Sequence, residues 1–199
     1  MTEADADVRV EPATAQRWTD VVTVFGTRGD PSWCWCQYFL TTDRGYEESA
    51  ARNRAALQDQ VNAGGERPPG LLAYRDDEPV GWLQLGLRTD FPRVTSNHAV
   101  AAVVGTDTSD QTVWRTTCFV VRVGHRRQGI AAALLRAAIP FAREQGATTL
   151  EGHPVDVSMR DKKTAGAVLY HGVLSMFLAA GFVEVGRTGP TRPVVRRQL

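Results

Sequence analysis

The stretch VRVGHRRQGIAAALL, residues 121–135, joins a strand pattern to a helix pattern and decides the fold. Residues 112–123, which overlap the start of this stretch, read TVWRTTCFVVRV. They are rich in β-branched and aromatic residues, which predicts a strand. After it, Gly129 to Gln145 predicts an apolar helix, which Gly146 would end. The chain therefore passes from strand to helix through a short basic turn.

Arg126 and Arg127 stand where basic side chains oppose the helix macrodipole, so their position indicates a bound anion. The first N–H groups of a helix have no intrahelical partner and suit a pyrophosphate. Gly129 would let the backbone approach the phosphate closely, and Ala131 would leave the next turn uncrowded. Neither the Walker pattern nor the three-glycine dinucleotide pattern is present.

Arg126-x-x-Gly129-x-Ala131 after a strand resembles the acyl-CoA pyrophosphate loop of the GNAT superfamily of N-acetyltransferases. The later segments LEGHPV (150–155) and SMFLAAGFVEVG (175–186) follow in that family's order, and the resemblance spans residues 71–187. It implies an α/β fold of the GNAT type: a mixed, mostly antiparallel twisted sheet with helices on both faces. The length of 199 residues, of which 43% are hydrophobic, predicts a single domain over residues 1–199. It also implies transfer of an acetyl group from the co-substrate acetyl-CoA to an amine by direct attack in a ternary complex.

The resemblance also implies which residues hold the co-substrate. Main-chain groups of Phe119 and Val121 would pair with the pantetheine arm like an added strand, and the Val121 N–H would stabilise the oxyanion. Tyr170 falls where the family often places an asparagine that contacts CoA, so a cofactor role suits it better than acid catalysis. The pyrophosphate would accept hydrogen bonds from the backbone N–H groups of Arg126, Arg127, Gln128, Gly129, Ile130 and Ala131.

The family's usual acid, a tyrosine before the Gly-Phe pair, is replaced by Phe177, which has no proton to donate. Water, Ser175 or Tyr170 would then protonate the thiolate, or it would leave unprotonated. The departure also leaves open a non-catalytic acyl-CoA-binding module. His171 is interpreted as a helix-surface residue.

Three residues are candidates for the general base that a neutral amine requires. Glu151 lies on the predicted strand at 147–155, with an ordinary carboxylate paired to an arginine as the alternative. His153 lies two residues on, on the same strand face, and Asp156 is the third candidate.

The three cysteines, Cys34, Cys36 and Cys118, are interpreted as ordinary reduced thiols, and no metal site is predicted. Two alternatives stay open: a thiol or metal site at Cys34-x-Cys36, and an acyl-cysteine intermediate at Cys118. The nearby aromatic residues could form a pocket wall or belong to the core; they are Trp33, Trp35, Tyr38 and Trp82.

Charge and composition limit the kinds of binding partner that are expected for this chain. Lys and Arg number 23 against 22 Asp and Glu, so no basic field predicts nucleic-acid binding. No apolar run approaches a membrane span, and MTEADADVRV lacks the features of a signal peptide, so a cytoplasmic protein with no membrane contact is expected. The acceptor would be a small-molecule amine or a protein amine, and the protein a monomer or homodimer.

Patterns elsewhere predict the remaining elements. A strand at 8–12, a helix at 14–25, a helix at 46–63 and a hairpin at 71–87 precede an irregular excursion from Thr89 to Gln111. SWCWCQYFL (32–40) is left open as a strand, a buried loop or part of a ligand wall. A helix at 169–180 and two closing strands complete the chain.

Overall fold

The computed structural model describes residues 8–42, 49–63, 67–105, 109–159 and 168–199. The described strands form one seven-stranded sheet in the order β1-β2-β3-β4-β5-β7-β6. All pairings are antiparallel except β4 with β5. The strands are β1 (Arg9–Pro12), β2 (Gly70–Arg75), β3 (Glu78–Leu87), β4 (Val113–Val121), β5 (Thr149–Gly152), β6 (Val183–Gly189) and β7 (Arg192–Gln198).

Helices cover both faces of the sheet. On one face Leu83 and Phe119 pack with α6; on the other Trp82 and Val120 pack with residues of α1 and α3. Successive residues of a strand point to opposite faces, so β3 and β4 supply both cores. The helices are α1 (Trp18–Phe25), α2 (Asp30–Cys34), α3 (Ala50–Ala63), α4 (Pro92–Thr95), α5 (His98–Val104), α6 (Ile130–Glu144) and α7 (Leu174–Ala179).

The β2–β3 pairing confirms the hairpin predicted at 71–87. Asp76 and Asp77 take positive φ angles of 49° and 61°, as the two central residues of a type I′ turn require. The predicted mixed, mostly antiparallel sheet is likewise confirmed. None of the helices in the described ranges is long and apolar enough to cross a membrane.

Strands β4 and β5 separate soon after they pair. Their parallel register covers only Val113–Arg115 against Thr149–Glu151. Beyond it, the segment from Tyr170 to Val173 enters the gap: the Phe119 N–H donates to the Tyr170 carbonyl at 2.6 Å, and Val155 bridges Val173. The fold therefore opens at the C-terminal half of β4.

Two predicted elements differ in the structure. The excursion at Thr89–Gln111 was expected to be irregular, but its described part contains helices α4 and α5, because Pro92 and the Asn97 cap start them. The predicted helix at 169–180 is helical only from Leu174, since Tyr170 to Val173 pair with strand residues instead. Residues 46–48 of the predicted second helix lie outside the described ranges, and α3 begins at Ala50.

Candidate active site

The N-terminus of α6 opens onto a cleft. Gly129 caps the helix in the left-handed region at φ 80°, a conformation that favours glycine. The first intrahelical bond runs from the Ala133 N–H to the Gly129 carbonyl at 2.9 Å. The N–H groups of Ile130, Ala131 and Ala132 therefore precede the helix ladder, and all three residues line the cleft. This end of α6 carries the positive pole of the macrodipole.

The basic turn is held in place by its own side chains. The Gln128 side chain donates to the Gly124 carbonyl at 2.7 Å and accepts a hydrogen bond from Arg75 on β2, which also reaches the Gln128 carbonyl. The Arg126 Nε donates to the Val121 carbonyl at 3.1 Å. Arg126 and Arg127 are exposed and line the cleft, whereas the Gln128 side chain fixes the turn. These hydrogen bonds fix the backbone of the turn beside the N-terminus of α6.

The cleft has a volume of about 1610 Å³ and runs from this turn along β4 to Tyr170. This exceeds the roughly 300–1,000 Å³ of a drug-sized site, as an extended ligand such as a CoA ester requires. Residues 23–31, from the end of α1 to the start of α2, also line the cleft. The residues present therefore suit acetyl-CoA.

The C-terminal end of β4 directs the N–H group of Val121 toward the cleft. The Arg122 N–H donates to Val80 on β3, so the Val121 N–H, one residue earlier, faces away from β3 and toward the cleft. The Phe119 N–H is already bonded to Tyr170, so it is not free for the pantetheine arm, contrary to the prediction.

The aromatic side chains of residues 32–40, together with Trp82, are shared between the cleft wall and the core. Trp33 and Tyr38 line the cleft, whereas Trp35 and Trp82 are buried in the core. Trp35 and Cys36 both take positive φ angles, 44° and 54°, which is strained for such residues. The stretch is neither a strand nor simply a loop: α2 ends at Cys34, and a short 3₁₀ helix starts at residue 37.

Buried amides hold this strained segment. The Gln84 side chain donates to the Cys36 carbonyl at 3.0 Å and accepts from the Thr117 hydroxyl at 2.8 Å. Asn53 donates to the Trp33 carbonyl at 2.9 Å. The cleft wall is thus tied to β3, β4 and α3, a role that the sequence analysis missed because isolated polar residues in apolar strands give no pattern.

All three cysteines are free thiols that line the cleft. Burial raises the pKa of Cys34 to about 11 and the pKa of Cys36 well above its ordinary value, with Cys118 adding to both. Cys34 and Cys36 therefore stay protonated near neutral pH and are poor nucleophiles and metal ligands. Within the described ranges no group of three potential ligands is placed to hold a metal ion.

Glu151 is placed differently from the base that was predicted. Its side chain is fully buried and lies within 3.4–3.6 Å of the guanidinium groups of Arg88, Arg115 and Arg196. Burial lowers the pKa of Arg115 to about 10, so that guanidinium remains charged near neutral pH. A carboxylate enclosed in this way has no access to a substrate amine. The alternative interpretation, a strand carboxylate paired with arginine, describes it better.

The carboxylate of Asp156 is also engaged by neighbouring side chains. One of its carboxylate oxygens accepts from the Ser158 hydroxyl at 2.6 Å, and the other lies 2.9 Å from Arg187. The Ser158 bond first, and then Arg187, lower the pKa of Asp156. A carboxylate stabilised in its charged form is a weak base.

His153 and His171 lie beside Tyr170 at the inner end of the cleft, where they line a smaller adjoining cavity. Burial, reinforced by Arg115, lowers the pKa of His153 well below its ordinary value, and burial with Arg192 lowers that of His171 to about 3. Both rings are neutral at pH 7 and too weakly basic for efficient base catalysis. His171 is half-buried against Phe39, at 5.2 Å between ring centroids, and is not the helix-surface residue expected.

Tyr170 lies at the junction of the two cavities, as does Tyr38. Burial, reinforced by Tyr38, raises the pKa of Tyr170, so its hydroxyl keeps its proton at neutral pH. Ser175 is exposed and lines neither cavity. Tyr170 is therefore the better placed of the two predicted proton donors.

Phe177 is a core residue. It is fully buried and packs edge-on against Phe119 and Phe182, with ring centroids 6.1 and 5.1 Å apart. Its ring fills the space beside Gly152, where a Cβ would lie 2.3 Å from it. This side chain does not line the cleft.

Comparison with known proteins identifies the class that this fold and cleft define. The family model described as the acetyltransferase (GNAT) family matches residues 32–158, which is well over half of the chain. The chain therefore belongs to this family and is an N-acetyltransferase with acetyl-CoA as co-substrate. No curated protein matches the sequence.

Solved structures show the same fold at low sequence identity. A GCN5-related N-acetyltransferase from Kribbella flavida is 15% identical, with a TM-score of 0.57 over 98% of this chain and 99% of that one. An aminoglycoside acetyltransferase AAC(6')-Ib in complex with coenzyme A is 14% identical, with a TM-score of 0.56 over 96% and 94%. The PaiA N-acetyltransferase of Thermoplasma acidophilum, also with coenzyme A, is 11% identical, with a TM-score of 0.55 over 96% and 99%.

Proposed function

We propose that residues 1–199 act as one acetyltransferase domain in which a neutral amine attacks bound acetyl-CoA directly, in a ternary complex. The observation that carries this proposal is the continuous cleft from the free N-terminus of α6 to the Val121 peptide and Tyr170. The pyrophosphate would accept hydrogen bonds from the N–H groups of Gly129, Ile130 and Ala131, with Arg126 and Arg127 balancing its charge.

The proposed chemistry uses groups at the inner end of the cleft. The amine lone pair forms a bond to the thioester carbonyl carbon, and the oxyanion accepts a hydrogen bond from the Val121 N–H. Collapse of this intermediate breaks the C–S bond. The thiolate takes the proton of the Tyr170 hydroxyl, and the proton of the former amine passes through water, which restores the phenol. His153 and His171 stay neutral in this proposal and do not act as strong bases.

The three free thiols fit a reducing compartment, so we also propose a cytoplasmic protein, as a monomer or homodimer. The acceptor is a small-molecule amine in this proposal.

Initial-rate kinetics test the proposed reaction. Thiol release is measured while acetyl-CoA and the amine are both varied, and a ternary complex predicts intersecting reciprocal plots. Cys118→Ser should retain turnover. Parallel plots together with an inactive Cys118→Ser variant would contradict direct attack and favour an acyl-cysteine intermediate. Tight acetyl-CoA binding without thiol release for any amine would instead favour the non-catalytic module.

A further inference from the structure

A second cavity of about 230 Å³ adjoins the main cleft at Tyr38, Phe39 and Tyr170. None of its lining residues belongs to the basic turn, so a ligand here would lie beside Tyr170 and apart from the pyrophosphate. Its volume lies below the roughly 300–1,000 Å³ of a drug-sized site. This cavity therefore suits a small acceptor.

The charged residues that line this cavity are arginines. Arg93 and Arg192 contribute to its wall, and none of its described lining residues is an aspartate or glutamate. Arg93 lies over the Tyr38 ring, 4.4 Å from its centroid. Arg192, the first residue of β7, is half-buried and has no ion pair within the described part of the chain.

The buried cluster behind the cavity adds positive charge. Arg88, Arg115 and Arg196 share the single carboxylate of Glu151, which leaves an excess of two positive charges. Burial is the main cause of the lowered pKa of His153, which lines the cavity, and Arg115 and Arg196 of the cluster lower that pKa further. Burial likewise lowers the pKa of His171 first, and Arg192 adds to that effect. A second ammonium group in this cavity would be repelled, whereas an anionic group would be attracted.

We infer that the acceptor is a small amine that also carries a carboxylate, held by Arg192, with its amine directed toward Tyr170. The inference rests on the proposed function and narrows its substrate class to molecules such as amino acids. It disfavours polycationic acceptors such as polyamines and aminoglycosides. Positive surroundings also favour the neutral, nucleophilic form of the amine, which suits a site without a strong base.

The test compares matched amines in the thiol-release assay with acetyl-CoA. Each set contains an L-amino acid, its amide and its decarboxylated amine, such as leucine, leucinamide and 3-methylbutylamine, and spermidine is tested alongside. The amide has the least basic amine, so an enzyme indifferent to the carboxylate would use the amide best. We expect kcat/KM to be highest for the amino acid of a set, by at least about tenfold over its amide.

The variant Arg192→Gln tests whether Arg192 is the residue that binds the carboxylate of the acceptor. It should raise KM for the amino acid by about 10-fold to 100-fold, the effect of losing a charge-assisted hydrogen bond, and leave the affinity for acetyl-CoA unchanged. Arg143→Gln makes the same charge change at an exposed position on α6 and should alter neither quantity. Preference for amides or spermidine, or an unchanged preference in Arg192→Gln, would overturn the inference.

A binding measurement distinguishes failure of this inference from failure of the proposed function. If no amine releases thiol, the proposed reaction has failed, and titration of amino acid and amide into the protein–CoA complex still compares their affinities. Tighter binding of the amino acid, lost in Arg192→Gln, supports the inference. Equal or weaker binding of the amino acid overturns it.

Discussion

Replacement of Glu151 by glutamine removes the carboxylate that three arginines share. The guanidinium groups of Arg88, Arg115 and Arg196 lie 3.4–3.6 Å from it, and the Glu151 and Arg115 side chains are fully buried. Removing one partner of a buried ion pair costs about 3–5 kcal/mol, because the remaining charge is left uncompensated. We therefore expect Glu151→Gln to lower the free energy of unfolding by an amount in this range.

Urea unfolding measured by circular dichroism checks this value, with Glu144→Gln as the control. Glu144 is exposed at the end of α6, so its replacement should change the unfolding free energy by less than about 0.5 kcal/mol. The double variant Glu151→Gln/Arg88→Met restores the cluster's net charge and should be more stable than the sum of the single effects predicts.

Kinetic measurements on the same variants distinguish a structural role of Glu151 from a role as the general base. If Glu151 is structural, the variant that remains folded at low temperature should keep the pH profile of the wild type. A stability within about 0.5 kcal/mol of the wild type, combined with lost turnover at neutral pH, would refute the structural role and restore Glu151 as the base.

Three further predictions concern the site and the sheet. Tyr170→Phe should lower kcat by about 10²-fold or more and leave the affinity for acetyl-CoA unchanged, and an unaltered kcat would exclude the phenol as the acid. His171 has a lowered pKa in the folded state, so its contribution to stability is complete above about pH 6.5 and is lost as pH falls toward 3. Urea unfolding between pH 7 and 4 should show that His171→Asn reduces this loss by about 1 kcal/mol per pH unit, whereas exposed His98→Gln should not. Gly81→Ala would place a Cβ 2.6 Å from Ile130, so we expect about 1–3 kcal/mol of destabilisation and weaker acetyl-CoA binding, and normal values of both would contradict this packing.

Local patterns predicted most of the fold. The β2–β3 hairpin follows from two aspartates in the turn, and β4, the basic turn and α6 follow from adjacent residues between Thr112 and Gly146. The proposed phosphate site rests on the same kind of local pattern, since the helix N-terminus, the glycine and the arginines are neighbours in sequence. These features need no long-range contact to be recognised.

The inner end of the cleft depends on contacts between distant segments. Glu151 has the residue type of a base, but its partners Arg88 and Arg196 come from segments far away in the chain. Tyr170 has helix-compatible neighbours, yet its carbonyl pairs with β4 because the sheet opens there. Arg192 lines the smaller cavity only because the β6–β7 hairpin packs beside Tyr170 and His171, which precede α7.

The central claim is that the N-terminus of α6 binds the co-substrate, and calorimetric titration of acetyl-CoA into two matched variants tests it. Gly129 and Gly146 flank α6 with similar φ angles, 80° and 85°, so valine strains the backbone alike at either position. We expect Gly129→Val to weaken acetyl-CoA binding by at least about tenfold and Gly146→Val to bind it as the wild type does. Equal binding by both variants and the wild type would contradict the claim.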